Sequence, residues 1–499
     1  IEFDYCSVHC VWALKRAGFD TVIINNNPET VSTDFDTADR LYFEPLTPED
    51  VMNVLEIEQP VGVVCQFGGQ TAIKLAKTVR EAGYSILGTD LGDIDAAEDR
   101  ELFNELLTRL GIPQPKGTTV FTADEAAEAA AELGYPVLVR PSYVLGGQGM
   151  EIAYDEKHIR EYMSIINMNI QEHPILVDKY LLGREIEVDA ICDGENVLIP
   201  GIMEHIERAG IHSGDSISVY PPQHLAPRIQ RMVTDYTINI ARSLHVRGLV
   251  NIQFIEYAGD LYIIEVNPRA SRSVPFLSKS TGVNLVRIST RAMLGESLAE
   301  QGITDMILPE RSWWYVKAPA FSFAKLTGMD AYLSPEMKST GEAIGYDRRL
   351  NRALYKALKA SGVRMKDYGT VIVTIADEVK EEALPLVRRF YRLGFNIEAT
   401  LGTAMFLKQH GIRTRIRGKI SEGSEEILDS IRAGYVSYII NTRAILSGVH
   451  YEDGVAIRRC AVQNGVTTFT SLDTARIVLD VLEESIPEIS TIDGERKGK

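Results

Sequence analysis

The chain has 499 residues, of which 45% are hydrophobic and 24% charged, and its formal net charge at pH 7 is −17. Since domains usually hold roughly 100–200 residues, three or four domains are expected. The acidic balance argues against nucleic acid or an anionic membrane as the main partner, and no apolar run approaches the roughly 18 residues that a membrane helix needs. Five scattered cysteines without a CxxC pair favour a reducing compartment, the cytoplasm, over a disulfide framework.

Residues 1–112 alternate helical segments with short apolar strands that end in polar loops. Residues 21–25 and 62–65 are such strands, and the helix that precedes the first of them ends at Gly18. This alternation predicts a parallel, doubly wound α/β sheet. Since the sequence opens inside that helix without a methionine, we expect that a first strand is missing and that the chain is cut at its amino end.

The pattern then changes twice along the chain. Residues 113–310 place longer strands in hairpins with interspersed helices, which predicts an α+β domain, and residues 311–361 form a mixed connector. Residues 362–490 again alternate strands with helices, which predicts a second doubly wound α/β domain. Residues 491–499 are polar and charged, as is typical of a disordered tail.

Two strand-like segments, residues 250–257 and 261–267, flank a short turn with a central glycine, which favours a β-hairpin. With a three-residue turn, Gln253 lies directly across from Glu265, whereas with a two-residue turn the two are diagonal neighbours. Alternation along the second strand places Asn267 on the same face as Glu265. The hairpin therefore predicts a convergence of side-chain oxygens.

Such oxygens suit Mg²⁺, which prefers hard ligands and completes its shell with substrate phosphates. Arg269 and Arg272 follow directly, and their cations suit a transferring phosphate and an oxyanion substrate. From spacing alone, a metal site is only slightly favoured over an ordinary strand face followed by a solvated basic loop.

A glycine-rich turn joins two further strands, residues 136–140 and 150–153. Its glycines, among them Gly146 and Gly147, would let backbone N–H groups approach phosphate, and Arg140 at the strand end would pair with the same group. The turn lacks the Lys-Ser/Thr and the following helix of a Walker loop. An ordinary flexible hairpin is an equal interpretation.

A third region predicts the nucleotide side of a cleft. The apolar strand at residues 175–181 ends in polar residues, and Glu185 would reach ribose hydroxyls. The polar turn at residues 210–215 would line the same cleft. His212 in this turn is interpreted as a positioning or surface residue rather than a catalytic base.

In this order, the segments resemble the ATP-grasp superfamily. RPSYVLGGQGM, ICDGENVLIPGIMEHIERAGIHSGDS and IIEVNPRASRSVPFLSKSTG resemble the large subunit of carbamoyl phosphate synthetase, as do NNNPETVSTDFDTADRLYFEP and EMKSTGEAIG. In that family one synthetase half phosphorylates bicarbonate, and a homologous second half phosphorylates carbamate and carries a regulatory domain. This chain resembles the carboxy-terminal half, with a pre-ATP-grasp domain, an ATP-grasp domain and a methylglyoxal-synthase-like regulatory domain.

The resemblance implies the reaction ATP + carbamate → ADP + carbamoyl phosphate, which serves pyrimidine and arginine biosynthesis. It implies ATP, two Mg²⁺ or Mn²⁺ ions and K⁺ as cofactors. The family's nucleotide contacts match Arg140, Gly146, Gly147, Asp178, Lys179, Leu181, Glu185, Gly210, Ile211, His212, Ser213, Gln253 and Glu265. Its metal ligands match Gln253, Glu265 and Asn267, and its groups at the reacting atoms match Arg269, Arg272, Glu265 and Asn267.

For the terminal domain, the resemblance implies an inhibitory uridylate. Its contacts match Lys380, Thr400, Thr403, Lys419, Asn441 and Thr442, while Arg443 stands where some relatives have Thr. Thr400 lies between a strand and a helix, where the helix amino end suits phosphate. Ornithine activates some bacterial relatives through acidic residues. Glu207 and Asp215 match two of them but Ala318 replaces a third, which argues against ornithine activation.

The family's partners are the amino-terminal synthetase half, in the same or a separate chain, and a glutaminase small subunit, and we expect an oligomer. Two other interpretations remain open. One is another ATP-grasp ligase that joins an acyl phosphate to an amine, against which the regulatory domain argues. The other is a non-catalytic nucleotide-sensing subunit, against which the intact Gln253, Glu265 and Asn267 set argues.

Overall fold

The structure is a computed structural model that describes residues 2–141, 150–169, 174–326, 329–442 and 449–484. The chain divides into two compact units, Ile1–Lys317 and Ala318–Lys499. Both units mix helices with β-sheets, which confirms the predicted fold class. All five cysteines are buried and free, as the sequence indicated. Among the described residues, no helix combines the length and the apolar character that crossing a membrane requires.

The first unit begins with a layer in which helices alternate with short parallel strands. Its helices are α1 (Glu2–Arg16), α2 (Pro48–Glu58), α3 (Gly69–Glu81), α4 (Leu91–Glu98) and α5 (Arg100–Leu110). Its strands β1 (Val22–Ile24) and β2 (Arg40–Tyr42) pair in parallel. The segment predicted as a further strand, residues 62–65, forms no regular strand and meets residues 85–88 in one parallel bridge between Val63 and Ile86.

A cleft of about 970 Å³ lies within this layer. Apolar side chains from α1, α2 and α3 and from the strands line most of it, among them Val11, Leu55, Val63 and Leu75. Its lining includes none of the site residues predicted from the sequence. A lining of this kind is a poor match for a charged nucleotide, because the phosphates would lose water without gaining partners.

A small antiparallel sheet follows, with strands β3 (Gly117–Val120), β4 (Val137–Pro141), β5 (Glu151–Ala153) and β6 (Ile175–Lys179). The strands lie in the order β3-β6-β4-β5. Helices α6 (Ala123–Leu133) and α7 (Glu156–Asn169) accompany them. Thr122 begins α6 with a capping box, in which its side chain and that of Glu125 each accept from the other's backbone N–H. Val139, Ile159 and Val177 belong to the core of this sheet.

The large sheet of the first unit contains β7 (Arg184–Asp193), β8 (Val197–Leu198), β9 (Ile202–Arg208), β10 (Ser218–Tyr220), β11 (Arg247–Tyr257), β12 (Asp260–Asn267) and β13 (Trp314–Ala320). Its strands run in the order β12-β11-β7-β9-β10-β13, and β8 pairs with β7. Helices α8 (Pro227–Ser243), α9 (Ser273–Thr281) and α10 (Leu285–Met293) connect or follow the strands.

Strict alternation divides the central strands β7 and β11 into two faces. On one face Val188, Ile252 and Phe254 are fully buried, and they share a core with Leu107 of α5 and Ile240 of α8. The opposite face of the same strands carries acids and amides. The apolar face therefore fixes the strands so that the polar face keeps a defined geometry.

The β11–β12 hairpin forms as predicted, but its turn differs. Tyr257 pairs with Asp260, so the turn has two residues, Ala258 and Gly259, and the predicted three-residue turn was wrong. Both turn residues have positive φ, +52° and +84°, as a type I′ turn requires.

A bulge on β12 then restores the predicted pairing. Phe254 lies opposite Ile263, whereas Gln253 lies opposite Glu265, so that Ile264 is the extra residue. Ile263 and Val266 both face the core, three positions apart. The bulge thus turns Glu265, and Asn267 two residues later, toward the polar face. It also places Glu265 directly across from Gln253.

The second unit begins with β14 (Gly341–Asp347) and α11 (Leu350–Ala360). A parallel sheet follows, with β15 (Thr370–Thr374), β16 (Asn396–Thr400), β17 (Thr414–Arg417), β18 (Val436–Asn441) and β19 (Thr467–Phe469). Its order is β17-β16-β15-β18-β19. The helices are α12 (Lys380–Arg392), α13 (Leu401–Gln409), α14 (Glu426–Arg432), α15 (Val449–Gln463) and α16 (Leu472–Glu484).

We expect Phe254→Ala to lower the free energy of unfolding of the first unit by about 3–5 kcal/mol, since it removes a fully buried ring from the core beneath the polar face. Phe35→Ala is the matched control, because the Phe35 side chain is 94% exposed and its loss should change little. Urea unfolding followed by fluorescence measures both changes. Equal effects of the two substitutions would contradict the two-faced arrangement.

Candidate functional site

The polar face of the large sheet collects charged and amide side chains from neighbouring strands. Register places Asn251 across from Asp189 on one side and Asn267 on the other, and Gln253 across from Glu187 and Glu265. The residues on this face are Glu185, Glu187 and Asp189 of β7, His205 of β9, Asn251 and Gln253 of β11, and Glu265 and Asn267 of β12. Most of them are buried, so each needs polar partners.

Asn251 connects two buried carboxylates at the inner part of this face. Its amide nitrogen donates to Glu187 at 2.8 Å and to Asp189 at 3.0 Å. The Ser273 hydroxyl donates to Glu187 at 2.9 Å, and the Ser271 hydroxyl donates to Asp189 at 2.6 Å. These bonds hold the loop after β12 against the sheet, which fixes where the arginines of that loop begin.

His205 lies between two carboxylates and is only 2% exposed. Its Nδ1 is 3.2 Å from Glu185 and its Nε2 is 3.2 Å from Glu187. Burial alone would lower the pKa of His205, but the bonds to Glu185 and Glu187 outweigh burial and raise the pKa to about 9. The ring is therefore an imidazolium that fixes Glu185, the residue predicted to hold ribose.

The pKa values of the two inner carboxylates, Glu187 and Asp189, shift in opposite directions. Burial acts to raise the pKa of Glu187, but the His205 cation outweighs it and lowers that pKa to about 2. Burial and the neighbouring Glu187 charge raise the pKa of Asp189 to about 7. Asp189 Oδ2 has no hydrogen-bond partner among the described residues, which agrees with a side chain that is neutral over much of the pH range.

The predicted metal ligands lie together at the outer end of the face. The amide nitrogen of Gln253 donates to Ser213 Oγ at 3.2 Å and to Asn251 Oδ1 at 3.5 Å. The amide oxygen of Gln253 is therefore left for a ligand. Glu265 is exposed directly opposite, and Asn267 follows two residues later.

Among the described residues, no group of three or more His, Cys, Asp or Glu side chains is arranged to hold a metal ion. The predicted set has one carboxylate and two amides, all hard oxygen donors. Such a set fits Mg²⁺ only where phosphate oxygens complete the shell. The donor chemistry therefore fits a metal that arrives with a nucleotide.

The two arginines after β12 lie near this set. Arg269 folds back and donates to Asn267 Oδ1 at 3.1 Å and to the Ala270 carbonyl at 3.1 Å. Arg272 stands at the start of α9, and its side chain passes close to Gly214, where an added Cβ would lie 3.2 Å from its Cδ. Arg272 therefore borders the turn that carries His212 and Ser213.

His212 begins this turn, and its contacts bear on whether it could act as a catalytic base. Its Nδ1 accepts from the Gly214 N–H at 3.0 Å, so a neutral ring carries its proton on Nε2. Burial lowers the pKa of His212, against the opposing charges of Asp215 and Glu265. The only basic nitrogen of this neutral ring, Nδ1, already accepts a hydrogen bond. The ring can therefore donate a hydrogen bond but cannot abstract a proton, which favours the predicted positioning role.

Other nucleotide-side predictions fall on the small sheet and its junction with the large one. Asp178 pairs with Arg100 at 2.7 Å and with Arg140 at 3.5 Å. Lys179 donates to the carbonyls of residues 134 and 135 at 2.7 and 3.2 Å. Leu181 joins Tyr180, Ala209 and Ile255 in an apolar cluster. Thus Asp178 and Lys179 have protein partners, and Leu181 offers apolar surface between the sheets.

Gly210 has φ +108°, and an added Cβ would lie 2.6 Å from the Tyr180 hydroxyl, so only glycine fits there. Ile211 follows it and is half-buried. The glycine-rich turn with Gly146 and Gly147 lies outside the described residues, as does Arg443.

The second unit holds a separate cavity of about 370 Å³ at the carboxyl ends of its parallel strands. The order of the sheet reverses between β15 and β18, which is where open α/β sheets bind ligands. All six positions predicted for the effector line this cavity: Lys380, Thr400, Thr403, Lys419, Asn441 and Thr442. Thr400 also precedes α13, whose amino end suits an anion.

Sequence reasoning missed the inner network of Glu187, Asp189 and Asn251. A signal was present, because acids recur at every second position of the otherwise apolar segment 185–189. It also missed Ile264, the bulge residue beside Glu265, whose apolar side chain is 38% exposed. No local signal marks Ile264, since its exposure depends on the bulge.

Three regions of the chain match known protein families. Residues 1–96 match the carbamoyl phosphate synthase preATP-grasp domain, residues 99–301 match the ATP-binding domain of the carbamoyl-phosphate synthase L chain, and residues 382–470 match the MGS-like domain.

Among solved structures, the chain is similar to the biotin carboxylase domain of Hydrogenobacter thermophilus 2-oxoglutarate carboxylase in complex with MgADP, ADP and bicarbonate. The identity is 22% over 65% of this chain and 74% of that chain, with a TM-score of 0.54. It is also similar to a biotin carboxylase–ATP complex from Campylobacter jejuni, at 17% identity over 72% and 89% of the two chains, with a TM-score of 0.57. At such identities these likenesses show the fold alone.

The fold and the matched regions define a protein of the ATP-grasp class, with pre-ATP-grasp, ATP-grasp and MGS-like domains. This succession is the domain architecture of the carbamoyl phosphate synthetase large subunit.

Replacing Asp189 by Asn should change how stability depends on pH. Folded Asp189 keeps its proton up to about pH 7, whereas the unfolded residue releases it near its ordinary pKa of 3.8. Between these values the folded state binds more protons, so the Asp189 contribution to the free energy of unfolding falls as pH rises. Asp189→Asn removes this loss, and at pH 8 it should stabilise the first unit by on the order of 2–4 kcal/mol.

The difference between variant and parent should grow from pH 4 to 7 and then stay constant, as measured by urea unfolding across pH. Asp95→Asn, at an exposed position of α4, is the control and should give a small difference that is flat with pH. A difference for Asp189→Asn that is the same at pH 4.5 and pH 8 would contradict a protonated Asp189.

Proposed function

We propose that the chain uses ATP to phosphorylate carbamate, giving carbamoyl phosphate and ADP, the last step of carbamoyl phosphate synthesis for pyrimidine and arginine biosynthesis. A carbamate oxygen attacks the γ-phosphorus, ADP leaves, and no covalent enzyme intermediate forms. The chain would act as a carboxy-terminal synthetase half, as in the large subunit of a glutamine-hydrolysing carbamoyl phosphate synthase.

The observation that carries this proposal is the register of the β11–β12 hairpin. Gln253 and Glu265 oppose each other, and Asn267, Arg269 and Arg272 follow within one short segment. This segment lies inside a region that matches the carbamoyl-phosphate synthase ATP-binding domain. Acids and amides beside cations suit a reaction that works by positioning and charge neutralisation.

In this proposal Gln253, Glu265 and Asn267 would hold two Mg²⁺ or Mn²⁺ ions, whose charge would offset that of the transferring phosphate. K⁺ would bind nearby. Arg269 contacts the Asn267 oxygen at 3.1 Å, and a metal bound to that oxygen would repel the arginine and favour its release. The released Arg269, together with Arg272, would then reach the reacting phosphate and carbamate.

The ATP-binding residues would act from the two sheets. Glu185, held by the His205 cation, would accept hydrogen bonds from ribose. Arg140 and the segment with Gly146 and Gly147 would contact phosphate. Adenine would lie near Asp178, Lys179 and Leu181. Gly210, Ile211, His212 and Ser213 would line the same pocket.

The second unit would bind a uridylate effector in its cavity, through Lys380, Thr400, Thr403, Lys419, Asn441 and Thr442. Bicarbonate activation would come from an amino-terminal synthetase half in the same or a separate chain, and ammonia from a glutaminase subunit. The assembly would be an oligomer in the cytoplasm.

Glu265→Gln should strongly slow ATP formation from ADP and carbamoyl phosphate. This partial reaction needs neither the glutaminase nor the bicarbonate half. Loss of the only carboxylate in the metal set would reduce the rate by about 100-fold or more, because the metal could no longer offset the phosphate charge. Asp260→Asn, an exposed acid on the same strand, is the matched control and should keep the parent's rate.

Activity that survives in Glu265→Gln would refute the metal site while leaving the reaction in place. A folded parent that makes no ATP from carbamoyl phosphate would refute carbamate kinase chemistry by this chain alone. Bicarbonate-dependent carboxylation of free biotin is then the assay of choice, since the structural neighbours of this fold are biotin carboxylases.

Lys419→Ala should weaken uridine monophosphate binding roughly tenfold or more, because it removes a cation from the lining of the cavity in the second unit. Lys408→Ala is the matched control, since Lys408 is exposed on α13 and does not line the cavity. Isothermal titration calorimetry measures both. Equal weakening in the two variants would indicate non-specific attraction to positive charge.

A further inference from the structure

Arg458 of α15 is an unusual arginine, because its side chain is among the largest that are fully buried in the molecule. Arginines are seldom buried unless every N–H finds an acceptor. Its neighbour Arg459 is exposed on the same helix. The sequence did not single out either residue, and the proposed function gives neither a role.

The guanidinium of Arg458 contacts two acceptors from different parts of the second unit. Nε and Nη2 donate to the two carboxylate oxygens of Asp330 at 2.6 and 2.7 Å, and the side chain lies over the Tyr332 ring at 5.4 Å. Nη1 donates to Asn441 Oδ1. An added Cβ at Gly454 would lie 2.9 Å from Nη1, so the lack of a side chain at Gly454 leaves room for the guanidinium.

The contact with Arg458 determines which way the Asn441 amide points. Because a guanidinium has only donors, the atom of Asn441 that faces it must be the oxygen. The amide nitrogen therefore points the other way and donates to Thr374 Oγ1 at 2.8 Å. Asn441, Thr374 and Arg458 all line the cavity in the second unit, and the second N–H of the amide is left for a ligand there.

We infer that Arg458 is a positioning residue for the effector: it holds Asn441 as a hydrogen-bond donor toward an oxygen of the bound nucleotide. Lys380 and Lys419 also line the cavity with donor groups, although Lys380 pairs with Asp377 and further acids, Glu378 and Asp453, belong to the same lining. With Asn441 fixed as Arg458 requires, its amide selects an acceptor oxygen of the ligand at that point of the cavity, such as a phosphate oxygen or a pyrimidine carbonyl. The inference rests on the proposed effector site and adds to it the group that orients it.

Calorimetric titration of the full chain with uridine monophosphate tests this. Arg458→Lys leaves a single ammonium group that cannot bond to both Asp330 and Asn441. The dissociation constant for uridine monophosphate should therefore rise roughly tenfold or more. Arg459→Lys makes the same change one residue away on the exposed side and should stay within about twofold of the parent. Circular dichroism and thermal unfolding confirm that each variant is folded.

Asn441→Asp separates positioning from stability. The new carboxylate still accepts from Arg458 and gains its charge, so thermal stability of the second unit should equal or exceed the parent's. The N–H donor is lost and a negative charge enters an anion site, so binding should weaken by roughly 100-fold. Loss of binding without loss of stability is the result that a purely structural role for Arg458 and Asn441 would not give.

Nucleotide binding by Arg458→Lys within about twofold of the parent, or by Asn441→Asp at the parent's affinity, would overturn the inference while leaving the effector site in place. A folded parent that does not bind uridine monophosphate would overturn the effector proposal and, with it, this role of Arg458.

Discussion

Strands β7 and β11 must bury an apolar face and a charged face at the same time, and the proposed site depends on how they meet this requirement. The apolar face follows from simple alternation and packs against helices. The charged face cannot rely on water, so each acid needs a fixed partner. His205 supplies a buried cation between Glu185 and Glu187, and Asn251 joins Glu187 to Asp189. The result is a rigid polar layer rather than a set of solvated side chains.

This layer also explains why the reacting groups stand on the outer strand. Inner acids are committed to protein partners, whereas Glu265 on β12 is exposed and faces the amide of Gln253. The bulge at Ile264 produces that arrangement, because it reverses the phase of the strand just before Glu265. A small local irregularity therefore decides which side of the sheet receives the one open carboxylate of the set.

Much of the fold could be predicted from the sequence, because the signals were local. The alternation of strands and helices over residues 362–490 predicted the doubly wound sheet of the second unit, and the hairpin after residue 250 was equally clear. The opposition of Gln253 and Glu265 was predicted correctly from an incorrect turn, since the error of one residue at the turn was cancelled by the bulge. Neither the length of the turn nor the bulge at Ile264 has a sequence signal of its own. Arg458 could not be predicted either, because its neighbour Arg459 has the same chemistry and only the packing of α15 distinguishes them.

The electrostatics of the polar face bear on how a nucleotide would enter the proposed site. Glu185, Glu187 and Glu265 share one face of the sheet, in a chain that is acidic overall. A free polyphosphate would meet repulsion there, and the buried His205 cation is already shared between two acids. A divalent ion beside Glu265 would reverse the local sign and let phosphate oxygens complete its shell. On this reasoning the proposed metal would assist Arg140, Arg269 and Arg272 in binding the phosphates, as well as in transferring one.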